Sequence, residues 1–168
     1  MKNTIIILTI NITLVMISSC GVYSFRGASI PQDAETIYID YFNIQAENIE
    51  PLLPQIFTEK LKDIFLQQTN LNLSNINGDL NFSGFISNYE IKPISITSNE
   101  TASQNRLTIS INVLFESKLE KEKNFETTFT RYKDFDSALN FSEIELNLIE
   151  EITNEIVEDI FNKSVVNW

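Results

Sequence analysis

The segment RLTISINVLFESKL, residues 106–119, places an apolar side chain at every second position from Leu107 to Phe115. Successive side chains of a β-strand point to opposite faces, so this spacing puts one face on a core and the other toward solvent. A single half-buried strand is stable only when its neighbours form a sheet and another layer covers the apolar face. The segment therefore predicts a strand of a covered sheet.

Two segments have the spacing of amphipathic helices that would provide this cover. PQIFTEKLKDIFLQQT, residues 54–69, and SEIELNLIEEITNEIVEDIFNK, residues 142–163, repeat apolar residues every three or four positions, with charged residues between them. Ser142 and Glu145 have the spacing of a capping box at the start of the second helix. We expect both helices to pack on one face of the sheet, with the acidic residues of the second helix in solvent.

The remaining strands are predicted from shorter alternating stretches. Residues 79–97 alternate with a change of parity that we place at Gly84, as a β-bulge would produce. Further strands are predicted within 35–42, 70–75 and 125–135, with a turn at residues 77–78 and a hairpin loop at 120–124. The sequence therefore predicts an α+β fold in which two amphipathic helices pack on one face of a mostly antiparallel four-stranded sheet.

Composition excludes several classes of function. The chain has no histidine and a single cysteine, which removes nucleophiles activated by histidine, His/Cys zinc sites and an intrachain disulfide. A formal charge of −11 disfavours nucleic-acid binding. Acidic pairs on an amphipathic helix are typical of a solvated face, and no glycine-rich phosphate loop is present. We therefore expect a protein that is not an enzyme and has no metal or dissociable cofactor.

The first twenty residues, MKNTIIILTINITLVMISSC, have the plan of a signal peptide: Lys2, an aliphatic run and then small residues. The ending Ile-Ser-Ser-Cys fits a bacterial lipobox, in which the cysteine sulfur is linked to diacylglycerol and the cleaved amino terminus is N-acylated. The alternative is a free cysteine behind an ordinary signal peptide. We predict lipidation of Cys20, a cleaved segment 1–19, a tether 20–34 and a single domain 35–168. Cleavage would remove Lys2 and no acid, which leaves a formal charge of −12.

Basic residues concentrate in the central hairpin of this acidic chain, and three of them are candidates for contact with an anion: Arg106, Arg131 and Lys133. The alternative is that these residues serve solubility and protect an edge strand. Arg131 and Lys133 share the parity of Phe125 and Phe129, so either the inward face changes along this strand or its end is exposed. The apolar end of the chain, Val165 to Trp168, is expected to pack on the sheet or to dock to a partner.

The stretch Cys-Gly-Val-Tyr-Ser-Phe-Arg-Gly, residues 20–27, resembles the mature amino terminus of the LPS-assembly lipoprotein family LptE. The hairpin of residues 105–136 and the ending IVEDIFNKSVVNW resemble the version of that family found in Bacteroidota. The resemblance covers essentially the whole mature chain, and it implies the same two-helix, four-stranded fold.

The resemblance also implies a role. LptE-family lipoproteins plug and support the outer-membrane β-barrel LptD, and the two insert lipopolysaccharide into the outer leaflet of the outer membrane. Lipid on Cys20 would anchor the protein to the outer membrane on its periplasmic side, with the domain in the barrel lumen, and Gly21 in place of aspartate fits sorting to that membrane. Arg106, Arg131 and Lys133 would contact lipopolysaccharide phosphates or acidic side chains of the barrel. The alternative function is a lipid-anchored carrier or ligand-binding module that works without a barrel.

Overall fold

The structure is a computed structural model that describes residues 30–31, 33–48, 50–94 and 103–165. These described residues form six strands and two long helices. These are β1 (Thr36–Ile39), β2 (Asn43–Ile44), α1 (Leu53–Gln68), β3 (Asn72–Leu73), β4 (Leu80–Ile94), β5 (Gln104–Ser117), β6 (Phe125–Asp136) and α2 (Phe141–Val165), with a 3-10 turn at Lys121–Lys123.

The strands form one mixed sheet in the order β3-β1-β4-β5-β6, with β2 also paired to β4. The long strands β4, β5 and β6 form an antiparallel meander, whereas β1, β2 and β3 run parallel to their neighbours. The α+β class and the two covering helices are confirmed. The sheet has more strands than predicted. It is partly parallel because the chain passes from β2 through α1 to β3, and then across β1 to β4, and each of these connections returns it in the direction of β1.

The core lies between the helices and the face of the sheet predicted from the alternation. Every second residue of β5 from Leu107 to Phe115 is at most 1% exposed, as is Phe65 of α1. Contacts between aromatic rings connect the layers. The ring centre of Phe65 lies 5.0 Å from that of Phe82 in β4 and 5.1 Å from that of Phe161 in α2. The ring centres of Phe82 and Phe115 are 4.8 Å apart. Aromatic side chains therefore fill the space between the sheet and both helices.

The β-bulge of β4 is at Ser87 and not at Gly84, so its predicted position was wrong. The pairing of β4 with β5 shifts between Ile86 and Asn88, and Tyr89 then takes the inward parity. Gly84 keeps the inward parity with φ +152°, and a Cβ there would overlap the carbonyl oxygen of Asn112. A glycine is needed at this position because β5 approaches it too closely for a side chain.

A second close approach occurs where the chain passes from β3 to β4. These two strands lie on opposite sides of β1, so residues 74–79 cross over it. A Cβ on Gly78 would lie 2.7 Å from the backbone nitrogen of Tyr38 and 2.8 Å from two backbone carbons of Ile37. The turn predicted at residues 77–78 is thus part of a crossover that lies against the backbone of β1.

The second helix begins before the predicted capping box. It starts at Phe141, and the residue before it, Asn140, donates from Nδ2 to Glu143 Oε1 at 3.0 Å while its carbonyl accepts from the Glu143 amide. Glu145 accepts instead from the Tyr89 hydroxyl of β4. Asn140 and Glu143 have the same spacing as the predicted pair, two residues earlier, so the predicted start was wrong in position.

Several predictions concern residues outside the described part of the chain, among them Cys20, the segment 1–19, Val166 and Trp168. Val165 ends α2 and is 2% exposed, so the first residue of the apolar ending packs in the core. Neither described helix combines the length and the apolar character that crossing a membrane requires.

Candidate functional site

The face of the sheet opposite the helices is polar. Its side chains come from the positions of β4, β5 and β6 that alternate with the core residues, and most of them carry hydroxyl, amide or carboxylate groups. Ser110 Oγ lies 2.9 Å from Thr130 Oγ1, and Asn112 Nδ2 donates to Thr128 Oγ1 at 3.4 Å. We call this surface the open face. It offers many hydrogen-bonding groups to a partner, as a polar protein interface requires.

Arg131 and Lys133, two of the predicted site residues, lie on the opposite face, toward α2. Both belong to β6 and keep the inward parity set by Phe129, so the inward face of this strand does not change. Arg131 Nη2 lies 2.7 Å from Asp159, and Lys133 Nζ lies 2.7 Å from Glu155. These two cations thus lie on the helix side of the sheet and pair with α2, and their side chains are 45% and 31% exposed, which agrees with the expectation that this end of the strand is exposed.

The pairs form an ion-pair ladder between β6 and α2. Asp159 pairs with Arg131, Glu155 contacts both cations, and Glu151 lies 3.5 Å from Lys133. Successive acidic residues of the ladder are therefore one helical turn apart, and the two cations lie between them. The pKa of Arg131 is raised chiefly by its hydrogen bond to Asp159, and the pKa of Lys133 chiefly by its hydrogen bond to Glu155. Inward-pointing charges on an edge strand discourage pairing with another chain, so the ladder supports the edge-protection interpretation.

Arg106, the third predicted residue, is on the open face. It makes a two-pronged contact with Asp134 of the neighbouring strand, through Nε at 2.6 Å and Nη2 at 2.9 Å. Its guanidinium carbon also lies 3.7 Å from the ring centre of Tyr132. Asp134 raises the pKa of Arg106, and the guanidinium in turn lowers the pKa of Asp134. The Asp134 carboxylate thus binds the edge of the planar guanidinium group, and the Tyr132 ring packs on its face.

The three predicted residues therefore do not form one cationic cluster, because the sheet separates Arg106 from the other two. Sequence reasoning missed their acidic partners on α2, although a signal was present: Glu151, Glu155 and Asp159 recur every four residues and so form one stripe of the helix. Matching that stripe to two cations spaced by two residues on a strand would have predicted the ladder.

A protein-family model named LptE: Lipopolysaccharide-assembly matches residues 34–164. No curated protein sequence matches the chain. The structure is similar to that of a minor lipoprotein from Acinetobacter baumannii, with a TM-score of 0.51 and 12% identity over 77% of this chain and 91% of that one. It is also similar to an uncharacterized lipoprotein B from Nitrosomonas europaea, with a TM-score of 0.50 and 16% identity over 84% of this chain and 88% of that one.

At these sequence identities the solved structures establish the fold alone, whereas the match to the family model establishes family membership. The family model matches a range that begins just before β1 and ends one residue short of the end of α2, so it includes both helices and every strand of the sheet. The chain therefore belongs to the LptE family, whose members are lipopolysaccharide-assembly lipoproteins.

Proposed function

We propose that the protein is a non-enzymatic outer-membrane lipoprotein that plugs and supports an LptD-type β-barrel during the insertion of lipopolysaccharide into the outer leaflet. The observation that carries this proposal is the family match over residues 34–164. Diacylglycerol and an N-acyl chain on Cys20 would hold the protein to the periplasmic side of the outer membrane, since more than one acyl chain gives stable anchoring.

The packed interior supports a plug over the alternative, a carrier that works without a barrel. A carrier of this fold would need an apolar cavity between the helices and the sheet. In that space Phe65, Phe82 and Phe115 have ring-to-ring distances of 4.8 to 5.0 Å, and each of these side chains is at most 1% exposed. The open face also suits a barrel interior, because barrel lumens are polar.

Photo-crosslinking from two opposite faces tests the plug. We expect a benzoylphenylalanine at Thr128, on the open face, and one at Glu150, on the solvent side of α2, to crosslink to the same large outer-membrane barrel in cells. A plug is surrounded by its barrel, so both faces should react. Recovery of no barrel by mass spectrometry from either position would contradict the partnership, and crosslinks from one face alone would contradict the plug.

We also propose that Arg106, Arg131 and Lys133 contact lipopolysaccharide phosphates or acidic side chains of the barrel, as expected from the sequence. Arg131 and Lys133 would have to exchange their helix carboxylates for these partners. We expect Arg106→Ala, Arg131→Ala and Lys133→Ala together to weaken lipopolysaccharide binding by roughly tenfold or more, since a hydrogen bond to a charged group contributes about 1.5–3 kcal/mol. Binding of the purified variants to lipopolysaccharide measures this.

The matched control removes three lysines that lie elsewhere: Lys60→Ala and Lys62→Ala on α1 and Lys123→Ala in the turn before β6 change the net charge by the same amount. If only net charge matters, both triple variants lose the same affinity. Unaltered lipopolysaccharide binding and barrel association in the first variant would refute the proposed contacts. Thermal unfolding of both variants shows whether loss of the ladder has changed the fold, for which we expect a small effect because its members are partly exposed.

A further inference from the structure

A groove of about 360 Å³ lies at one end of the sheet, between the 74–79 crossover and the turn after β5. Two lysines and several amide side chains line it, together with a single acidic residue, Glu116. The lysines and amides are Lys118, Lys121, Asn77, Asn81 and Asn124. In a chain with a formal charge of −11 this lining is locally basic and rich in hydrogen-bond donors.

The two lysines of the groove are not neutralised by ion pairs. Within the part of the chain that the structure describes, neither Lys118 nor Lys121 has a carboxylate within 4.0 Å, whereas Lys123 beside them pairs with Glu120 at 2.7 Å. The pKa of the Asp79 carboxyl is lowered chiefly by its hydrogen bond from the Thr36 hydroxyl, and the charge of Lys118, acting at longer range, is the smallest of the causes that lower it. Both ammonium groups are therefore available to an anionic ligand.

Exposed apolar side chains flank the groove on both sides. Ile76, next to Asn77 in the crossover, is 78% exposed, and Leu119, next to Lys118 in the turn, is 45% exposed. Large apolar side chains beside lysines are typical of surfaces that lie at a membrane interface, where the apolar groups enter the head-group region and the lysines meet lipid phosphates.

The chain also enters the domain at this end. The Asp79 carboxylate, just before β4, accepts from the amides of Glu35 and Thr36 and from the Thr36 hydroxyl at 2.7 to 3.1 Å, which fixes the start of β1. Lys118 N donates to the Asp79 carbonyl at 2.9 Å, so the turn after β5 is tied to the same point. The sequence before Glu35 leads back to Cys20, the proposed lipid site.

We propose that this end of the sheet docks on the leaflet that holds the Cys20 lipid. Lys118 and Lys121 contact the phosphate groups of anionic phospholipids, and Ile76 and Leu119 lie among the head groups. This inference rests on the lipid anchor of the proposed function, and it adds an orientation: the chain entry, the crossover and the turn after β5 face the membrane, while the opposite ends of β4 and β5, at Ile94 and Gln104, point away.

Environment-sensitive labels test the orientation. The acylated full-length mature chain carries lipid on its natural cysteine, so Ile76→Cys, Leu119→Cys and Leu139→Cys each give one reactive thiol for a nitrobenzoxadiazole label. Leu139 is 52% exposed and follows β6 at the far end of the sheet, which makes it the matched control. On vesicles of phosphatidylethanolamine and phosphatidylglycerol we expect the first two labels to shift to shorter wavelength and to be quenched by head-group nitroxides, and the third to stay in water.

Removal of the lysines tests their role. Lys118→Gln with Lys121→Gln is expected to lower the ratio of docked to undocked protein roughly 25-fold, because a basic residue near an anionic leaflet contributes about 1 kcal/mol, or about fivefold. Lys60→Gln with Lys62→Gln, on α1, removes the same charge and should leave the docked ratio unchanged.

The outcomes separate the orientation from the anchor. A chain that floats with the vesicles while the labels at positions 76 and 119 stay in water overturns the orientation and leaves the anchor intact. A chain that does not float overturns the anchor and this inference with it. A double lysine variant that loses lipopolysaccharide binding but docks unchanged on phospholipid vesicles also overturns the assignment of the groove.

Discussion

Gly84→Ala is expected to destabilise the fold by about 3–5 kcal/mol, because it combines backbone strain with overpacking. The residue has φ +152°, which side chains of L-residues rarely adopt. Its new Cβ would overlap the carbonyl oxygen of Asn112 and lie 2.8 Å from Cε1 of Phe42. The Asn112 carbonyl belongs to the backbone of β5, which pairs with β4 on both sides of this point, so it cannot move aside without breaking the ladder.

Urea unfolding of the purified domain measures this prediction. Ser83→Ala is the matched control: it changes the neighbouring residue of β4 on the open face and should shift the free energy of unfolding by less than about 0.5 kcal/mol. If Gly84→Ala unfolds too readily to be purified, the loss of soluble protein beside normal yields of Ser83→Ala is the expected result. A Gly84→Ala protein as stable as the parent would show that β4, β5 and Phe42 do not approach as closely as described.

The residues with regular spacing were the predictable part of the fold. The alternation through β5 and the apolar stripes of α1 and α2 report how each segment meets the core, and burial enforces that pattern on the sequence. Gly84 shows the limit of this reasoning. A glycine between two alternating stretches is typical of a bulge, but here it marks a close approach by Phe42 and β5, and that contact depends on residues distant in the sequence.

The candidate site was predicted less well, for a related reason. Arg131 and Lys133 stood out in the sequence as cations in an acidic chain, and anion binding was one natural interpretation. Whether such a cation is free depends on which element packs over its strand, and the partners Glu155 and Asp159 lie more than twenty residues away on α2. The groove lined by Lys118 and Lys121 was equally unpredictable from the sequence, because only the fold brings the crossover and the turn after β5 together.

Phe65→Ala is expected to destabilise the fold by about 3–5 kcal/mol, through lost apolar contact and the cavity left behind. Phe65 is fully buried and joins three elements, since its ring contacts Phe82 of β4 and Phe161 of α2 from its place on α1. Its loss would therefore loosen both helices from the sheet at once. Leu66→Ala, the next residue of the same helix at 43% exposure, is the matched control and should cost less than about 1 kcal/mol.

Substitutions of Phe65 also connect stability to function. A plug must keep its shape inside its barrel, so Phe65→Ala should lower the amount of crosslinked barrel in cells, while Phe65→Leu, which refills most of the space, should restore it. The urea concentration at which the protein unfolds and the crosslink yield from Thr128 are then expected to change in parallel across Phe65→Ala, Phe65→Leu and Leu66→Ala. A Phe65→Ala protein that unfolds at the parental urea concentration would contradict the packed core on which the choice of a plug over a carrier depends, because a side chain beside an existing cavity contributes fewer contacts and costs less to truncate.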